Sequence, residues 1–393
     1  MKLKWPLPFF IFIFLLTLGT PALAQPDSTA SSTLHIMARV ADWQLDSWSQ
    51  KGMRWPKWDW TNGACYAGLM ALSRVSHDPK YLNALLQIGD DLDWQTGPHR
   101  FKADDYCVGQ MFSQIYMIYK KPEMIKAFRL LADSIISLPH SQSLEWTNDI
   151  ALYEWAWCDA LFMGPPALAY LSSATGDPRY LDTACALWWK TTDYLFDPTE
   201  NLYFRDSRYF TMREANGKKM FWSRGNGWVL AGLVRMLDNM PKNYPGRSRF
   251  VELYLKMSRR IASLQSADGS WHTSLLDPEA YPAKETSGTG FYCYALAWGI
   301  NHKLLKQNRY RAVVQKAWAA LESSVHPDGM LGNVQQIGAQ PGAVDSNDTE
   351  VYGTGAFLLA GSQMWEMQRQ EGTLSSGRHR KKPSQKDEKK KPH

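Results

Sequence analysis

A single carboxylate, Asp159, stands in an otherwise apolar stretch of the sequence, WAWCDALFMGPPALAYL at residues 155–171. Burying an ionised carboxylate costs so much free energy that the group instead raises its pKa and keeps its proton near neutral pH. A protonated carboxyl can serve as a general acid, so Asp159 is a catalytic candidate. A structural aspartate that caps a helix or pairs with an arginine is the other interpretation, and the local sequence does not decide between the two.

Asp104 and Asp105 form a second acidic pair, in FKADDYCVGQMF at residues 101–112. Carboxylates are common at the start of a helix, where they cap free amides and complement the helix dipole. Alternatively, one of the two caps while the other faces the site and tunes Asp159 through like-charge repulsion. Both are therefore candidates for a second catalytic carboxylate.

Tryptophan and arginine cluster in MFWSRGNGWVLAGLVRML, at residues 220–237. Arginine binds a carboxylate through two parallel hydrogen bonds, and a flat tryptophan ring packs against the C–H face of a sugar. Trp222, Arg224 and Trp228 therefore indicate a uronic acid site, with arginine stacked on tryptophan as surface structure as the alternative. The aromatic segment WPKWDWTNG (residues 55–63) adds three candidates for substrate contact, Trp58, Asp59 and Trp60.

Hydroxyl side chains mark a further segment, KETSGTGFYCYALAWGI at residues 284–300. Thr286 and Ser287 lie at a predicted helix N-terminus, where free amides and hydroxyls can receive an anionic oxygen of a substrate. Plain capping of the helix explains the same residues equally well.

Helices must position these residues, because helical periodicity dominates from about residue 34 to residue 367 and long alternating strands are absent. The connectors repeat, since His77-Asp78-Pro79 and Gly176-Asp177-Pro178 each offer an N-cap aspartate followed by proline at the first helical position. Twelve helices are predicted, at residues 34–50, 61–75, 79–95, 104–119, 122–137, 154–174, 178–196, 223–239, 247–265, 286–305, 308–324 and 349–367.

The spacing of the repeats indicates six stacked helical hairpins. Six hairpins can close into an inner and an outer ring or remain an open solenoid, which would keep near-constant repeat lengths. The connectors here vary in length and are rich in Trp, Gly and Asp, which favours closure. The sequence therefore predicts an all-α, (α/α)6 toroid whose long loops meet at one mouth, with Pro165 and Pro166 kinking the sixth helix.

The net charge of +6 is concentrated at the two ends of the sequence. Lys2 and Lys4, an apolar run and the small-residue site at 22–24 predict a cleaved signal peptide over residues 1–24 and an exported, periplasmic or secreted protein. The basic segment 373–393 is predicted to be a disordered tail. The body between, one catalytic domain over residues 25–372, has a net charge of about −2, which predicts no nucleic-acid partner; no stable membrane insertion is expected after signal cleavage.

Histidine and cysteine spacing predicts no metal and no other cofactor. The nine histidines show neither HxxxH nor HExxH spacing. The cysteines lie singly in apolar settings and are odd in number, so at least one thiol is free and buried structural thiols are predicted. They are Cys65, Cys107, Cys158, Cys185 and Cys293. The oligomeric state is not determined by these features.

The motifs WCDALFMGPPALAYL, FWSRGNGW, ETSGTGF and DTEVYGTGAFLLAGS together resemble the unsaturated rhamnogalacturonyl hydrolases of glycoside hydrolase family 105 and, more distantly, the unsaturated glucuronyl hydrolases of family 88. The resemblance covers residues 34–367. It implies an (α/α)6 barrel that removes a 4,5-unsaturated galacturonic or glucuronic acid from the non-reducing end of acidic oligosaccharides left by polysaccharide lyases, with uronyl-rhamnose as the expected substrate. It also implies that the general acid/base is Asp159, that the second aspartate is Asp104 or Asp105, and that Trp222, Arg224 and Trp228 contact the substrate.

One departure from that resemblance lies in Leu202-Tyr203-Phe204-Arg205-Asp206, because members close to the rhamnogalacturonan enzymes often carry a histidine after Leu-Tyr. Arg205 and Arg208 then become candidates for binding a different anionic neighbour, such as a sulfated rhamnose. The implied chemistry is hydration of the C4=C5 vinyl ether, with a proton delivered to C4 and water added at C5. Alternatives are the same chemistry on sulfated ulvan-type fragments, an inverting glycosidase or a lyase on the same toroid, and a non-catalytic glycan-binding protein.

Overall fold

The computed structural model describes residues 28–379, and it describes side chains for residues 29–371. Over this range twelve α-helices make up most of the regular structure, with four short 3₁₀ turns and one two-stranded sheet between them. The helices are α1 (Ser28–Lys51), α2 (Trp60–Ser76), α3 (Pro79–Asp91), α4 (Gly109–Tyr119), α5 (Glu123–Ile136), α6 (Ala160–Thr175), α7 (Pro178–Leu195), α8 (Ser223–Asn239), α9 (Arg247–Ser263), α10 (Thr286–Asn301), α11 (Gln307–Glu322) and α12 (Val351–His379).

The even-numbered helices form a closed inner ring. Each contacts the next in order from α2 through α4, α6, α8 and α10 to α12, and α12 packs against α2. The odd-numbered helices from α3 to α11 pack outside this ring against helices adjacent in sequence, and α1 packs against α12 and α2. The predicted all-α (α/α)6 toroid is therefore confirmed.

All inner helices begin at the same end of the toroid, which we call the mouth. Long connectors lead into their N-termini, such as residues 137–159 before α6 and residues 196–222 before α8. Only residues 77–78 and 176–177 follow the C-termini of α2 and α6. Because long loops carry most binding residues, the mouth is where a site is expected.

Aspartate and proline start two outer helices at the end opposite the mouth. The side chain of Asp78 accepts a hydrogen bond from the Lys80 amide, and that of Asp177 accepts one from the Arg179 amide. Proline occupies the first turn of both helices, where no amide donor is lost to the helix. The predicted N-caps of α3 and α7 are therefore confirmed.

Five aromatic rings meet inside the inner ring, each within the first two turns of its helix. Four of them, Phe162, Trp228, Phe291 and Tyr352, are fully buried, whereas Trp60 is half-buried. The centroids of contacting rings are 4.3 to 6.2 Å apart. Because α2, α6, α8, α10 and α12 each contribute one ring, the group fills the axis of the toroid below the mouth. We call these five residues the axial aromatic cluster.

α6 continues through Pro165 and Pro166, although each proline removes one helical hydrogen bond. The carbonyl freed by Pro166 belongs to Phe162, and it accepts a hydrogen bond from Nε2 of Gln110 at 2.8 Å. Gln110 lies on α4 and in turn accepts a hydrogen bond from Nε of Arg235 on α8 at 2.5 Å. Neighbouring helices, rather than solvent, therefore satisfy the freed carbonyl.

The prediction of a helix over 154–174 is wrong at its start, because α6 begins only at Ala160. Asp159 therefore precedes the helix and does not lie inside it. The segment before it leaves helical conformation because the Cys158 amide donates a hydrogen bond to the Arg205 carbonyl at 2.8 Å. This contact joins the start of α6 to the connector that precedes α8.

Two other boundaries differ from the prediction. The predicted helix at 104–119 is divided into a 3₁₀ turn, Ala103–Tyr106, and α4. α12 continues through His379, so the first part of the predicted disordered tail, 373–393, is helical. The rest of that tail and the predicted signal peptide, residues 1–24, lie outside the described residues. Among the described helices, none is long and apolar enough to cross a membrane.

Gly355→Ala is expected to destabilise the protein, because α2 and α12 touch through their backbones at this position. A Cβ atom on Gly355 would lie 2.2 Å from the Ala64 carbonyl oxygen, and one on Gly68 would lie 2.5 Å from the Gly355 oxygen. Overpacking of this kind lowers the free energy of unfolding by about 1–3 kcal/mol. Gly338→Ala is the control, since the nearest atom to its Cβ would be 3.7 Å away. Equal stability of both variants in chemical denaturation would contradict this account of ring closure.

Candidate active site

Asp159 lies at the mouth, one residue before α6, with a side chain that is 13% exposed. It occupies the N-cap position but accepts no capping hydrogen bond. Its Oδ2 atom accepts a weak hydrogen bond from the Cys158 thiol at 3.4 Å and lies 3.6 Å from Nε of Arg205. The carboxyl therefore has few polar partners, which is unusual for a buried structural aspartate.

Burial raises the pKa of Asp159 above its usual value, because the charged form is poorly solvated in this wall of the mouth. The positive charges of Arg205 and Arg224 act in the opposite direction without cancelling the effect of burial. The carboxyl consequently keeps its proton to higher pH than an exposed aspartate, as a general acid requires.

Asp105 is fully buried and holds a turn of the preceding connector. Its Oδ2 atom accepts hydrogen bonds from the main-chain amide of His99 at 2.5 Å and from the ring Nδ1 of His99 at 2.9 Å. Gly97 packs so closely that a Cβ atom there would lie 2.3 Å from Cγ of Asp105. These contacts suit a structural carboxylate.

Asp104 has a different environment from its neighbour, with a side chain 17% exposed and 3.5 Å from Nζ of Lys102. Burial raises the pKa of Asp104 to about 7; Lys102 lowers it, and the negative charges of Asp159, Asp105 and Asp59 raise it. The negative charge of Asp159 therefore acts on Asp104. The tuning of Asp159 by Asp104 stays a prediction.

Arg205 reaches Asp159 because main-chain contacts fix the connector that carries it. This connector contains two short antiparallel strands, β1 (Phe196–Asp197) and β2 (Leu202–Tyr203). The side chain of Asn226 accepts a hydrogen bond from the Tyr203 amide at 2.7 Å and donates one to the Tyr203 carbonyl at 3.0 Å. Since Asn226 lies in the first turns of α8, that helix sets where the connector enters the mouth.

Asp206, which is fully buried, holds both arginines of this connector. Its Oδ2 atom accepts hydrogen bonds from Nη1 of Arg205 at 2.7 Å and Nη2 of Arg208 at 2.8 Å, and its Oδ1 atom accepts one from Nε of Arg208 at 2.9 Å. Burial alone would raise the pKa of Asp206, but the bonds from Arg208 and Arg205 lower it overall. Both guanidinium groups lie over Trp146, 4.6 and 4.7 Å from its ring centroid. We call these four residues the Trp146 cluster.

Trp222, Arg224 and Trp228 lie behind the surface of the mouth. Trp222 and Arg224 are 2% and 1% exposed, and both donate hydrogen bonds to the loop before α12. Nη1 and Nη2 of Arg224 bond the carbonyls of Gln335 and Gln336 at 2.7 and 3.0 Å. The ring of Trp228 is packed in the axial aromatic cluster and has no exposed face in this structure, so its contact with a sugar stays a prediction. Arg224 likewise presents no open face to a carboxylate here, although its charge reaches Asp159.

Trp58, Asp59 and Trp60 are half-buried at the start of α2. Asp59 caps this helix, since its Oδ1 atom accepts hydrogen bonds from the amide and hydroxyl of Thr61 at 2.9 and 2.7 Å. Trp60 stacks on Tyr352 with 5.4 Å between ring centroids. Substrate contact by these three residues stays a prediction.

Thr286 and Ser287 do not offer free groups to an anion. The carboxylate of Glu285 caps α10 and accepts hydrogen bonds from the Ser287 amide, the Ser287 hydroxyl and the Gly288 amide. The Thr286 hydroxyl donates to the Gly332 carbonyl at 2.8 Å. Both side chains are buried and plain capping describes this terminus, whereas substrate binding by these two residues stays a prediction.

Sequence reasoning missed Asp206 and Asn226. Asp206 has a recognisable signal, because it separates two arginines in the run Arg205-Asp206-Ser207-Arg208 and can pair with both. Asn226 lies inside the motif FWSRGNGW, whose tryptophans and arginine predict a sugar site. Its contact with Tyr203 joins positions 23 residues apart, which local sequence does not reveal.

Titratable side chains at the mouth do not converge as metal ligands do. In the part of the chain that the structure describes, no group of three or more His, Cys, Asp or Glu side chains could hold a metal ion. The five cysteines are buried, as predicted, and none of them forms a disulfide.

Comparison with known proteins defines the class to which this fold and site belong. Residues 36–368 match the family described as Glycosyl Hydrolase Family 88, so the chain belongs to that family. It is similar to the Unsaturated 3S-rhamnoglycuronyl hydrolase of Formosa agariphila, with 39% identity over 322 residues that cover 79% of this chain and 85% of the relative. These matches confirm the resemblance carried by the motifs, and the chain is a glycoside hydrolase.

Two solved structures share the fold at 28% identity. A glycosyl hydrolase family 88 protein from Bacteroides vulgatus has a TM-score of 0.77, over 86% of this chain and 99% of that one. A protein named as a polysaccharide lyase has a TM-score of 0.78, over 88% of this chain and 99% of that one.

Asp105→Ala and Asp104→Asn should differ in stability. Removing the Asp105 carboxylate breaks two hydrogen bonds with His99 in a buried site, which should lower the free energy of unfolding by about 2–3 kcal/mol. Asp104→Asn should leave the free energy of unfolding nearly unchanged. The substitution removes one 3.5 Å ion pair with Lys102, but it also removes the repulsion from the neighbouring aspartates. Denaturant titration of both variants measures the difference. A larger loss of stability in Asp104→Asn than in Asp105→Ala would mean that Asp104, and not Asp105, is the structural carboxylate.

Proposed function

We propose that the chain removes a 4,5-unsaturated uronic acid from the non-reducing end of an oligosaccharide by hydrating the C4=C5 bond, with Asp159 as the general acid. The observation that carries the proposal is the environment of Asp159, a carboxyl with raised pKa that opens to the mouth beside Arg205. The similarity to the unsaturated 3S-rhamnoglycuronyl hydrolase supports the same substrate class.

The reaction consumes one water molecule and needs no direct displacement at the anomeric carbon. Asp159 gives its proton to C4, and the positive charge that develops at C5 is stabilised by the ring oxygen. Water adds at C5 and loses a proton to Asp159 or Asp104. The resulting hemiketal opens to a ketone at C5, and the hemiacetal left at C1 releases the aglycone alcohol.

Asp104 is the second catalytic carboxylate in this proposal, and Asp105 is structural. A pKa of about 7 allows Asp104 to accept a proton from the attacking water near neutral pH. Asp105 is instead bonded to His99 and fully buried. The two adjacent aspartates thus divide into one that faces the reaction and one that shapes the connector.

Arg205 is the expected partner of the substrate carboxylate, which is attached to C5 beside the reacting carbons. Its side chain is 15% exposed and its Nε atom lies 3.6 Å from Asp159, so a carboxylate bound there would place the ring next to the acid. Arg224, the residue favoured by the sequence motif, has its terminal nitrogens bonded to carbonyls. Its role becomes electrostatic support from behind the surface.

The aglycone is proposed to be a rhamnose that carries a sulfate, since we interpret the 3S prefix in the relative's name as sulfation. The missing histidine after Leu202-Tyr203 and the arginines in its place agree with an anionic neighbour of the uronate. Such oligosaccharides arise when lyases cleave acidic polysaccharides outside the cell, which fits the export expected from residues 1–24.

Polysaccharide lyase activity is the second candidate, because a protein named as a lyase shares the fold. The two activities have opposite optical signatures, since a lyase creates a conjugated C4=C5 bond and the proposed hydrolase destroys one. Incubation with intact acidic polysaccharides and with their lyase digests therefore separates them. Rising absorbance with the intact polymer would support the lyase, and no change with any digest would favour a non-catalytic glycan-binding protein.

Asp159→Asn should fold normally and lose about 10²-fold to 10⁴-fold in turnover, because asparagine keeps the shape but cannot deliver a proton. With native protein in heavy water, one deuterium should appear at C4 of the product, because hydration forms a new bond to hydrogen there and ordinary displacement at C1 does not. Mass spectrometry of the product at early times checks this label. A product without deuterium at C4 would exclude the hydration mechanism.

Arg205→Gln should shift the basic limb of the pH–rate profile to higher pH. Turnover requires protonated Asp159, so activity is lost as pH rises through the pKa of that group. Arg205 lowers this pKa, and removing its charge raises it. Arg205→Lys keeps the charge and should retain the native limb, although its single ammonium binds the substrate carboxylate less well. A limb that moves equally in both variants would show that Arg205 does not act on Asp159 through its charge.

A further inference from the structure

We propose that Arg208, held over Trp146 by Asp206, forms an anion subsite that binds a sulfate ester on the sugar next to the unsaturated uronate. The inference rests on the proposed function, because it assigns the second sugar of the same substrate to this part of the mouth. It gives Arg208 a role separate from that of Arg205.

Arg208 is fixed on one side and open on the other. Asp206 accepts hydrogen bonds from Nε and Nη2 of Arg208, whereas no described residue accepts one from Nη1. The side chain is 44% exposed, compared with 15% for Arg205. A guanidinium group that is already oriented and still has free donors can bind an oxyanion without further ordering.

Charge in the Trp146 cluster also favours an anion. Asp206 balances one of the two arginines, and Asp159 adds no negative charge while it carries the proton that catalysis requires. One positive charge is then left uncompensated in the cluster. The substrate carboxylate at Arg205 neutralises that charge, so a sulfate ester at Arg208 is bound by the free Nη1 donors of the guanidinium group and not by a remaining net charge.

The two arginines lie at successive depths of the same wall. Both bond the same oxygen of Asp206 and lie over the same indole ring, yet only Arg205 contacts Asp159. Arg208 is the more exposed of the two, so the proposal places the unsaturated ring at Asp159 and Arg205 and the next sugar on the solvent side, at Arg208. Trp146 is half-buried and borders this path, so it can also pack against the second sugar.

A matched control exists on the outer surface, where Arg249 lies 3.6 Å over the ring of Trp189 and donates to Asp193 at 2.8 Å. This arginine has the same kinds of partners but belongs to the outer helix α9, away from the mouth. Asp193 is 63% exposed, whereas Asp206 has no exposed side-chain surface. Arg249→Gln therefore controls for the loss of an arginine stacked on tryptophan.

The test compares two substrates, an unsaturated uronyl-rhamnose with a 3-sulfate and its desulfated counterpart, with native protein, Arg208→Gln and Arg249→Gln. Arg208→Gln should lower the ratio of kcat/KM for the sulfated over the desulfated substrate by about tenfold or more, through loss of a charge-assisted hydrogen bond. Arg249→Gln should leave that ratio unchanged. An equal loss on both substrates, which leaves the ratio unchanged, would mean that Arg208 only positions Arg205 through Asp206. No loss on either substrate would mean that Arg208 does not contact sulfate. Either result overturns the subsite.

Calorimetric binding of the same two compounds separates this inference from the proposed function. If native protein turns over neither compound, the proposed function fails, while tighter binding of the sulfated compound that is lost in Arg208→Gln still supports the subsite. If both compounds are turned over but bind Arg208→Gln and native protein with the same sulfate preference, the subsite fails and the proposed function stands.

Discussion

The contact that closes the inner ring, between α2 and α12, is the constraint on which the mouth depends. Its two backbones approach so closely at Gly68 and Gly355 that neither position has space for a side-chain carbon. Closure brings six helix N-termini and their long connectors to one end of the toroid. Residues distant in sequence, such as Asp104, Asp159 and Arg205, meet there because they precede the neighbouring helices α4, α6 and α8.

Buried charge then determines the chemistry available at that end. Asp206 and Asp159 are both aspartates in a largely buried wall, but Asp206 accepts three hydrogen bonds from guanidinium groups and Asp159 has a thiol and one arginine at 3.6 Å. The first carboxylate is therefore stabilised as an anion, whereas the second keeps its proton more readily. A fixed anion orients the arginines, and a neutral acid next to them is available for proton transfer.

The toroid could be predicted from the sequence because hairpin repeats and Asp-Pro caps are local signals, and the apolar surroundings of Asp159 were equally visible. The roles of Trp228 and Arg224 could not be predicted from local sequence. A tryptophan at a helix start can face a ligand or the axis of a barrel, and only the ring contacts with four other helices decide between them. The same applies to Thr286 and Ser287, whose capping partner, Glu285, is adjacent in the sequence but is recognisable as a cap only from its geometry.

The axial aromatic cluster has a consequence for how the enzyme meets a polymer. Because these rings fill the axis below the mouth, a sugar chain cannot thread through the toroid, and a bound chain must end at the floor of the site. Catalysis would then scale with the number of chain termini in solution and not with the mass of polysaccharide. Each cut made upstream by an endo-acting lyase adds one such terminus, so the flux through this protein would rise as its substrates become shorter.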